Sequence, residues 1–297
     1  MTMSYTRIDP LLEDIEAQRQ VVDANLTRPA RWRGPLRREG RRGPQPRDRT
    51  RYARAFNWLA RQVASGATPD LDPALLRKLH ALINGGDGGY RTREVRVGGF
   101  ATAARASAVA GLVEQALARA ADGSEEPPLA AARLHMELLL VHPWRDGNGR
   151  TVRMAAALML MRHGFKSTLF TAVEQHTTAM PGAYSRAFDV LRSSRPTQHE
   201  PWLASHLQLM AWNSEFAAAY RLRENAMREA LTAAGIEPGL HDDAMITHDR
   251  GESRAGAGCE VLQRNFPAWV DLSSRMHPDK RAAFAWQVER LVAEESG

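Results

Sequence analysis

The stretch "HPWRDGNGR", residues 142–150, decides how this sequence is interpreted. It follows an apolar segment with helical spacing and leads into another, "GRTVRMAAALMLMRHG". A turn between two helices needs only glycines and a capping side chain such as that of Asp146 or Asn148. This turn also carries His142, which can titrate near neutral pH, and the fixed cation of Arg150. So many chemical groups within a short turn favour a site over a simple bend.

The spacing of these groups is suited to binding phosphate. Glycines on both sides of Asn148, just ahead of a helix, present backbone N–H groups at the positive end of that helix. Arg150 and Arg153 lie three positions apart, so they share a helix face and can contact successive phosphates. Asp146 is a hard oxygen ligand of the kind that holds Mg²⁺ together with phosphates. The sequence has no Gly-x-x-x-x-Gly-Lys-Ser/Thr pattern, so the site is not a P-loop.

Residues 142–153, "HPWRDGNGRTVR", closely resemble the signature of the Fic family, whose enzymes transfer AMP from ATP to protein hydroxyls. We call this segment the signature. Trp144 stands where the family usually has Phe. Upstream, "YRTREVRVGG" resembles the flap of the family, a hairpin that holds the target segment by strand addition, and we call residues 90–104 the flap. Downstream, Tyr184 and Trp202 fall where such domains carry packing aromatics.

The resemblance implies a role for each matching residue. His142 would be the general base that acts on a Tyr, Thr or Ser hydroxyl, and Asp146 would hold Mg²⁺ on the substrate ATP. The implied phosphate-binding residues are Gly147, Asn148, Gly149, Arg150 (β-phosphate) and Arg153 (γ-phosphate). The implied target-binding residues of the flap are Thr92, Arg93, Glu94, Val95, Arg96 and Val97. The expected function is therefore protein adenylyltransfer, to a target protein and to the chain itself.

Periodicity predicts a mainly α fold, and the resemblance makes this a Fic-type helical bundle with a short β-hairpin flap and a C-terminal helical appendage. Val95 and Val97 alternate with charged residues and give the one convincing β signal. Residues 236–260 are expected to be rich in loops. The predicted domains are residues 1–49, 50–215 and 216–297, the last of unknown role. The predicted helices cover residues 8–25, 52–66, 72–83, 106–121, 129–141, 149–164, 181–195, 200–225 and parts of 265–295.

The positive charge is concentrated in one segment. The chain has a net charge of +6, and residues 28–54 contain eleven Arg against two acids. Four prolines and little apolar periodicity predict a poorly ordered arm, although sequence-independent binding to nucleic acid is an alternative. The single cysteine, Cys259, excludes an internal disulfide. No apolar run has the length of a membrane span and the N-terminus does not resemble a secretory signal, so we expect a cytoplasmic protein, with export as an effector left open.

Regulation is less clear from the sequence. Many Fic proteins carry an inhibitory helix with the pattern Ser/Thr-x-x-x-Glu-Gly/Asn, and the nearest match here is "PLRREG", which contains Glu39 and Gly40. Pro35 occupies the Ser/Thr position and argues against a regular inhibitory helix. Either Glu39 is a weak candidate for the inhibitory residue, or a partner such as an antitoxin or a second copy supplies the glutamate. An unrestrained enzyme, such as a toxin, is the remaining possibility.

Other functions remain open at the level of sequence. The same fold also suits transfer from another nucleotide, phosphocholine transfer, phosphorylation or removal of AMP. Kinase members of the superfamily typically have Lys at the first glycine of Gly-Asn-Gly, so Gly147 favours nucleotidyl transfer. A non-catalytic binding module is the alternative from another class. His135 is interpreted as a packed core histidine, and the acidic-histidine pairs of residues 241–243 and 248–249 as weak fragments of a metal-site pattern.

Overall fold

The computed structural model describes residues 8–24, 46–97, 101–165, 199–249, 251 and 256–267. These residues are mainly helical, as predicted, with one pair of very short strands. The helices are α1 (Ile8–Ala24), α2 (Pro46–Ala64), α3 (Pro73–Asn84), α4 (Val109–Ala121), α5 (Pro127–Val141), α6 (Asn148–Arg162), α7 (His199–Ala233), α8 (Pro238–Asp249) and α9 (Ala257–Asn265). A single 3-10 turn, Ala106–Ala108, precedes α4, and the strands are β1 (Arg96–Val97) and β2 (Ala101–Thr102).

Local signals explain where the helices near the signature begin and end. The Asp72 carboxylate accepts a 2.7 Å hydrogen bond from the Leu75 N–H and so caps α3, with Pro73 at its first position. The helix stops at Gly85, whose φ of 83° lies in the left-handed region. Helix α5 also begins with a proline, Pro127. These caps bring the C-terminal ends of α3 and α5 to fixed positions beside the signature.

Helix α5 is the centre of the fold. It packs against α4, α6 and α7, while α1 packs along α7. Ten of its fifteen residues are buried, so its sequence is apolar on nearly every side. Helix α6 faces two apolar clusters at once, one around α5 and one formed with α2 and α3, which explains its nearly continuous run of Ala, Leu and Met. The signature therefore connects two helices that are themselves held rigidly in the core.

The structure corrects the prediction of a region rich in loops over residues 236–260: of its described residues, 238–249 form α8 and those from 257 onward belong to α9. Helix α8 has many polar residues because they pair with α7: Asp242 contacts Arg228 and Asp249 contacts Arg223, each at 2.5 Å. The His241 ring lies 2.8 Å from the Ile236 carbonyl oxygen. These acids and histidines are thus structural. The described residues contain no group of three or more His, Cys, Asp or Glu side chains placed to hold a metal ion.

Several predicted boundaries also change. Helix α2 begins at Pro46 rather than at residue 52, and α7 continues to Ala233, beyond the predicted end at residue 225. The predicted domain boundary at 215/216 lies inside α7, and the division into domains stays a prediction. Several predictions concern residues that the structure does not describe. These are the helix over residues 181–195, Tyr184, the segment 28–45 with Glu39, and most of residues 265–295. Within the ranges that the structure describes, no helix is long and apolar enough to cross a membrane.

Candidate active site

His142 occupies an unusual position at the end of α5. Its φ of 54° and ψ of 64° place it in the left-handed region, and it is the one described residue other than glycine with a positive φ. Its N–H donates a 3.0 Å hydrogen bond to the Leu138 carbonyl, which ends the helix. The left-handed conformation costs an L-residue about 1–2 kcal/mol. Surrounding contacts must offset this cost, as is common where a side chain is held for function.

Asn148 closes the turn that follows His142. Its amide oxygen accepts a 2.9 Å hydrogen bond from the Trp144 N–H, and its amide nitrogen donates a 2.8 Å bond to the Trp144 carbonyl. The side chain is buried and is used entirely within the turn. A contribution of Asn148 to phosphate binding is therefore left to its backbone N–H at the start of α6. The sequence did not reveal this internal pairing, and phosphate binding by Asn148 stays a prediction.

The conformation of Gly147 strongly favours glycine. Its φ is 77°, and a Cβ atom there would lie 2.2 Å from the side-chain amide of Asn84 on α3. The Gly147 N–H donates a 2.6 Å hydrogen bond to Oδ1 of Asp146. The Asp146 side chain is exposed, and a carboxylate keeps further lone pairs for a second ligand. A lone exposed carboxylate fits a Mg²⁺ ion that is held mainly by substrate phosphates and water.

The two arginines of the signature lie in the first turns of α6. Arg150 and Arg153 are both half-buried, and the guanidinium of Arg153 lies back over Gly149, 3.2 Å from where a Cβ atom on that glycine would stand. Both positive charges thus lie at the positive end of the helix, where unpaired backbone N–H groups also point. This combination of fixed cations and N–H donors is of the kind that binds anions. Binding of phosphate here, and the assignment of each arginine to a particular phosphate, stay predictions.

An aromatic contact between α3 and the signature, which sequence reasoning missed, packs against the turn that follows His142. The His80 ring stacks on the Trp144 indole with 4.4 Å between centroids, and His80 Nε2 lies 3.0 Å from the Asp146 carbonyl oxygen. Burial lowers the pKa of His80 below its ordinary value, more than the contacts with Asp146 raise it. Tyr90, at the start of the flap, tilts against the same indole at 5.6 Å. Trp144 therefore joins α3, the flap and the signature.

A short antiparallel pair of strands lies within the predicted flap, and its paired part is shorter than the prediction. Arg96 pairs with Thr102 and Val97 with Ala101 in an antiparallel register, whereas residues 92–95 lie outside the ladder. The side chains of Thr92, Arg93, Glu94 and Arg96 are exposed, and that of Val95 is half-buried. Glu94 accepts a 3.0 Å hydrogen bond from the Ala106 N–H, which closes the base of the hairpin. Target binding by these residues stays a prediction.

Sequence reasoning missed Arg91, which lies in the flap directly before the predicted target-binding residues. Its guanidinium is fully buried and contacts backbone carbonyls of both the flap and the end of α5. No local signal distinguishes this arginine from its exposed neighbour Arg93, because its burial depends on three separate segments. His135, in contrast, is the buried core histidine that was predicted, 4.7 Å from the ring of His206 on α7.

Comparison with known proteins identifies the domain. The sequence profile of the Fic/DOC family matches residues 70–160, which run from the start of α3 to α6 and include the flap and the signature. The chain carries a Fic domain. A solved Fic family protein from Desulfovibrio desulfuricans G20 aligns over 81% of this chain and 79% of that chain, with a TM-score of 0.47 and 16% identity.

Curated relatives of the Fic domain include protein adenylyltransferase fic-1 of Caenorhabditis briggsae, 39% identical over 26% of this chain and 16% of that protein. Protein adenylyltransferase Fic of Nematostella vectensis is 41% identical over 16% of this chain and 11% of its own length. The chain thus spans less than a fifth of the length of these relatives. At the level of the family, the Fic domain of this chain is related to enzymes of AMPylation.

Proposed function

We propose that the chain is a protein adenylyltransferase, which transfers AMP from Mg-ATP to a Tyr, Thr or Ser hydroxyl of a target protein and of itself. The observation that supports this best is the order of groups along the signature. His142 is held in a left-handed conformation immediately ahead of a turn that carries Asp146 and leads into the N-terminus of α6, where Arg150 and Arg153 lie. A simple turn between helices needs neither the base nor the two arginines.

The proposed reaction is an attack of the target hydroxyl on the α-phosphorus of ATP. His142 accepts the hydroxyl proton, the new O–P bond forms, and the bond from the α-phosphorus to the bridging oxygen breaks so that pyrophosphate leaves. The N–H groups at the start of α6 and the guanidinium groups of Arg150 and Arg153 stabilise the charge on the phosphates. Mg²⁺ that arrives with ATP, held at Asp146, would neutralise part of the same charge.

The surroundings of Gly147 argue against a kinase-type variant of this fold. Kinase members place Lys at this position, and here a Cβ alone would lie 2.2 Å from the amide of Asn84, so that the Asn84 side chain would have to move. The left-handed φ of 77° adds strain for every residue except glycine. Both features favour a phosphate bound directly against the backbone, as nucleotidyl transfer requires.

Intact-mass analysis tests the proposed function. The protein is incubated with Mg²⁺ and one nucleotide (ATP, GTP, UTP or CTP), either by itself or together with a cell lysate. With ATP we expect a covalent AMP adduct. His142→Ala should lose the adduct, with the rate reduced by about 10²–10⁴. His163→Ala is the matched control, because His163 is exposed at the opposite end of α6 and should label normally. No adduct from any nucleotide, with nucleotide binding intact, would favour a non-catalytic binding module.

Regulation requires a separate experiment, since Glu39 lies outside the described residues. If Glu39 is an inhibitory residue, Glu39→Gly will increase self-labelling with ATP. If a partner supplies the inhibitory glutamate, Glu39→Gly will label at the rate of the unchanged chain. Addition of the host lysate would then suppress the reaction.

A further inference from the structure

Arg91 is a buried cation without a role in the proposed chemistry. Its side chain is completely buried, and the nearby carboxylate of Glu94, at 3.6 Å, is 68% exposed to solvent. An isolated charge in the protein interior is strongly unfavourable unless hydrogen bonds replace the lost water. The contacts that stabilise Arg91 must therefore be specific, and they indicate what the residue does.

Backbone carbonyl groups surround the Arg91 guanidinium. The Nε atom donates to the His142 carbonyl at 2.8 Å, and Nη2 donates to the Val141 carbonyl at 3.2 Å. The Nη1 atom donates to the Arg93 carbonyl at 3.2 Å, and Nη2 also donates to the Ala104 carbonyl. The planar guanidinium presents its N–H groups in a rigid fork, so the four acceptors are fixed relative to one another.

Two of these acceptors belong to the end of α5. The last carbonyls of a helix lack partners within the helix and carry its negative partial charge, so a cation there is favourable. The backbone N–H of Arg91 adds a 2.9 Å bond to the Pro143 carbonyl. Arg91 thus holds three consecutive carbonyls, from residue 141 to 143. Holding the peptide planes on both sides of His142 fixes its φ and ψ angles, and hence the direction of the Cα–Cβ bond that carries the imidazole.

The other two acceptors belong to the two sides of the flap. Arg93 lies before β1 and Ala104 lies after β2, so the same guanidinium holds both ends of the hairpin. The flap and His142 are far apart in the sequence and meet at this one side chain. A movement of the hairpin base would therefore have to displace the main chain of His142, or break these hydrogen bonds.

We propose that Arg91 is a positioning residue of the transfer reaction. It locks His142 in its left-handed conformation and fixes the flap relative to it, so that a hydroxyl on a segment bound at the flap meets the imidazole in a reactive geometry. This inference rests on the proposed function. It assigns the alignment of base and acceptor to one residue that touches neither nucleotide nor target.

The kinetic test compares Arg91→Lys with Arg119→Lys. Lysine keeps the charge but cannot reach all four carbonyls with a rigid fork, so kcat should fall by about 10²-fold, the effect of a displacement near 1 Å. The KM for ATP should be unchanged. Arg119 pairs with Glu137 and is half exposed on the surface, so Arg119→Lys should retain normal kcat. A wild-type kcat in correctly folded Arg91→Lys would overturn the proposal.

Chemical rescue separates positioning from stability. In Arg91→Ala, guanidinium ion at concentrations far below those that denature the protein should enter the cavity and recover part of kcat. Methylammonium, which has the charge without the fork, should not. If guanidinium raises the melting temperature of Arg91→Ala but leaves kcat unchanged, Arg91 is only structural and the proposal is wrong.

A measurement on the unchanged chain avoids any loss of folding in the variants. The Nε–H proton of Arg91, observed by ¹⁵N NMR, should exchange with solvent far more slowly than that of Arg119. Equal exchange rates would contradict the tie between Arg91 and His142. If the wild type transfers no nucleotide to any protein, the proposed function fails, while slow exchange would still establish the tie itself.

Discussion

The indole nitrogen of Trp144 donates a 2.9 Å hydrogen bond to the carbonyl oxygen of Gly88. Both groups are buried. Only glycine fits at position 88, because a Cβ atom there would lie 2.1 Å from the Arg77 carbonyl oxygen. Phe, which the Fic family usually has in place of Trp144, cannot make this bond. The loop ahead of the flap is therefore attached to the signature in a way specific to the Trp variant.

Trp144→Phe should destabilise the fold while it preserves chemistry. The variant keeps a ring against His80 but leaves the Gly88 carbonyl buried without its donor, which costs about 1–3 kcal/mol. Urea unfolding should show this loss, with AMP transfer retained at a temperature where the variant is folded. Trp58→Phe is the control, because a phenyl ring still offers a face to Lys78, now 4.5 Å from the indole. An equal loss in both variants would contradict the role of the indole N–H.

Substitutions of His142 should separate stability from activity. Glycine adopts the left-handed conformation without strain, whereas alanine does not, so His142→Gly should be more stable than His142→Ala by about 1 kcal/mol. Both variants lack the base and should lose AMP transfer equally. Thermal unfolding and labelling assays on the two proteins test this. If His142→Ala were the more stable variant, the left-handed conformation of residue 142 would be wrong.

Acid should destabilise the protein through the histidines between α5 and α7. Burial lowers the pKa of His206 to about 4 and lowers the pKa of His135 well below its ordinary value, with His206 and Arg153 adding to the effect on His135. The unfolded chain takes up these protons below pH 6.5 and the folded chain does not. Stability is therefore lost as pH falls from 6.5 toward 4, by about 1.4 kcal/mol per pH unit for each histidine.

His206→Phe tests this pH dependence. Phenylalanine keeps a ring against Trp202, which stacks on His206 at 4.8 Å, and removes the titrating group. Urea unfolding between pH 7 and pH 4.5 should give a shallower loss of stability for the variant than for the wild type. Identical slopes would show that the buried histidine pair does not control acid stability.

Glu224 should stabilise α7 through two buried ion pairs within the helix. Its buried carboxylate contacts Arg221 at 2.5 Å and Arg228 at 3.2 Å. Glu224→Gln removes the negative charge that neutralises these two largely buried arginines. The free energy of unfolding should fall by about 3 kcal/mol. Glu260→Gln is the control, because Glu260 and Arg264 are exposed and 3.9 Å apart, and the loss there should stay below about 1 kcal/mol. Urea unfolding of the two variants decides the matter.

The sequence predicted those features whose cause is local. The helix predicted over residues 72–83 depends on an apolar stripe within a few residues, and the signature likewise places its groups on one turn. Helix α8 was missed because its acids are paired with arginines on α7, and such pairing leaves no local period. Arg91 was missed for the same reason, since its acceptors come from the flap and from the end of α5.

The hydrogen bonds of Arg91 also bear on how this domain can change. All four side-chain bonds go to main-chain oxygens, which every amino acid possesses. The identities of residues 92–97 can therefore vary, and with them the surface of the hairpin, without loss of a single acceptor. On the proposed function, selection of a protein partner and alignment of the imidazole would be separable properties, so that engineering of the first need not disturb the second.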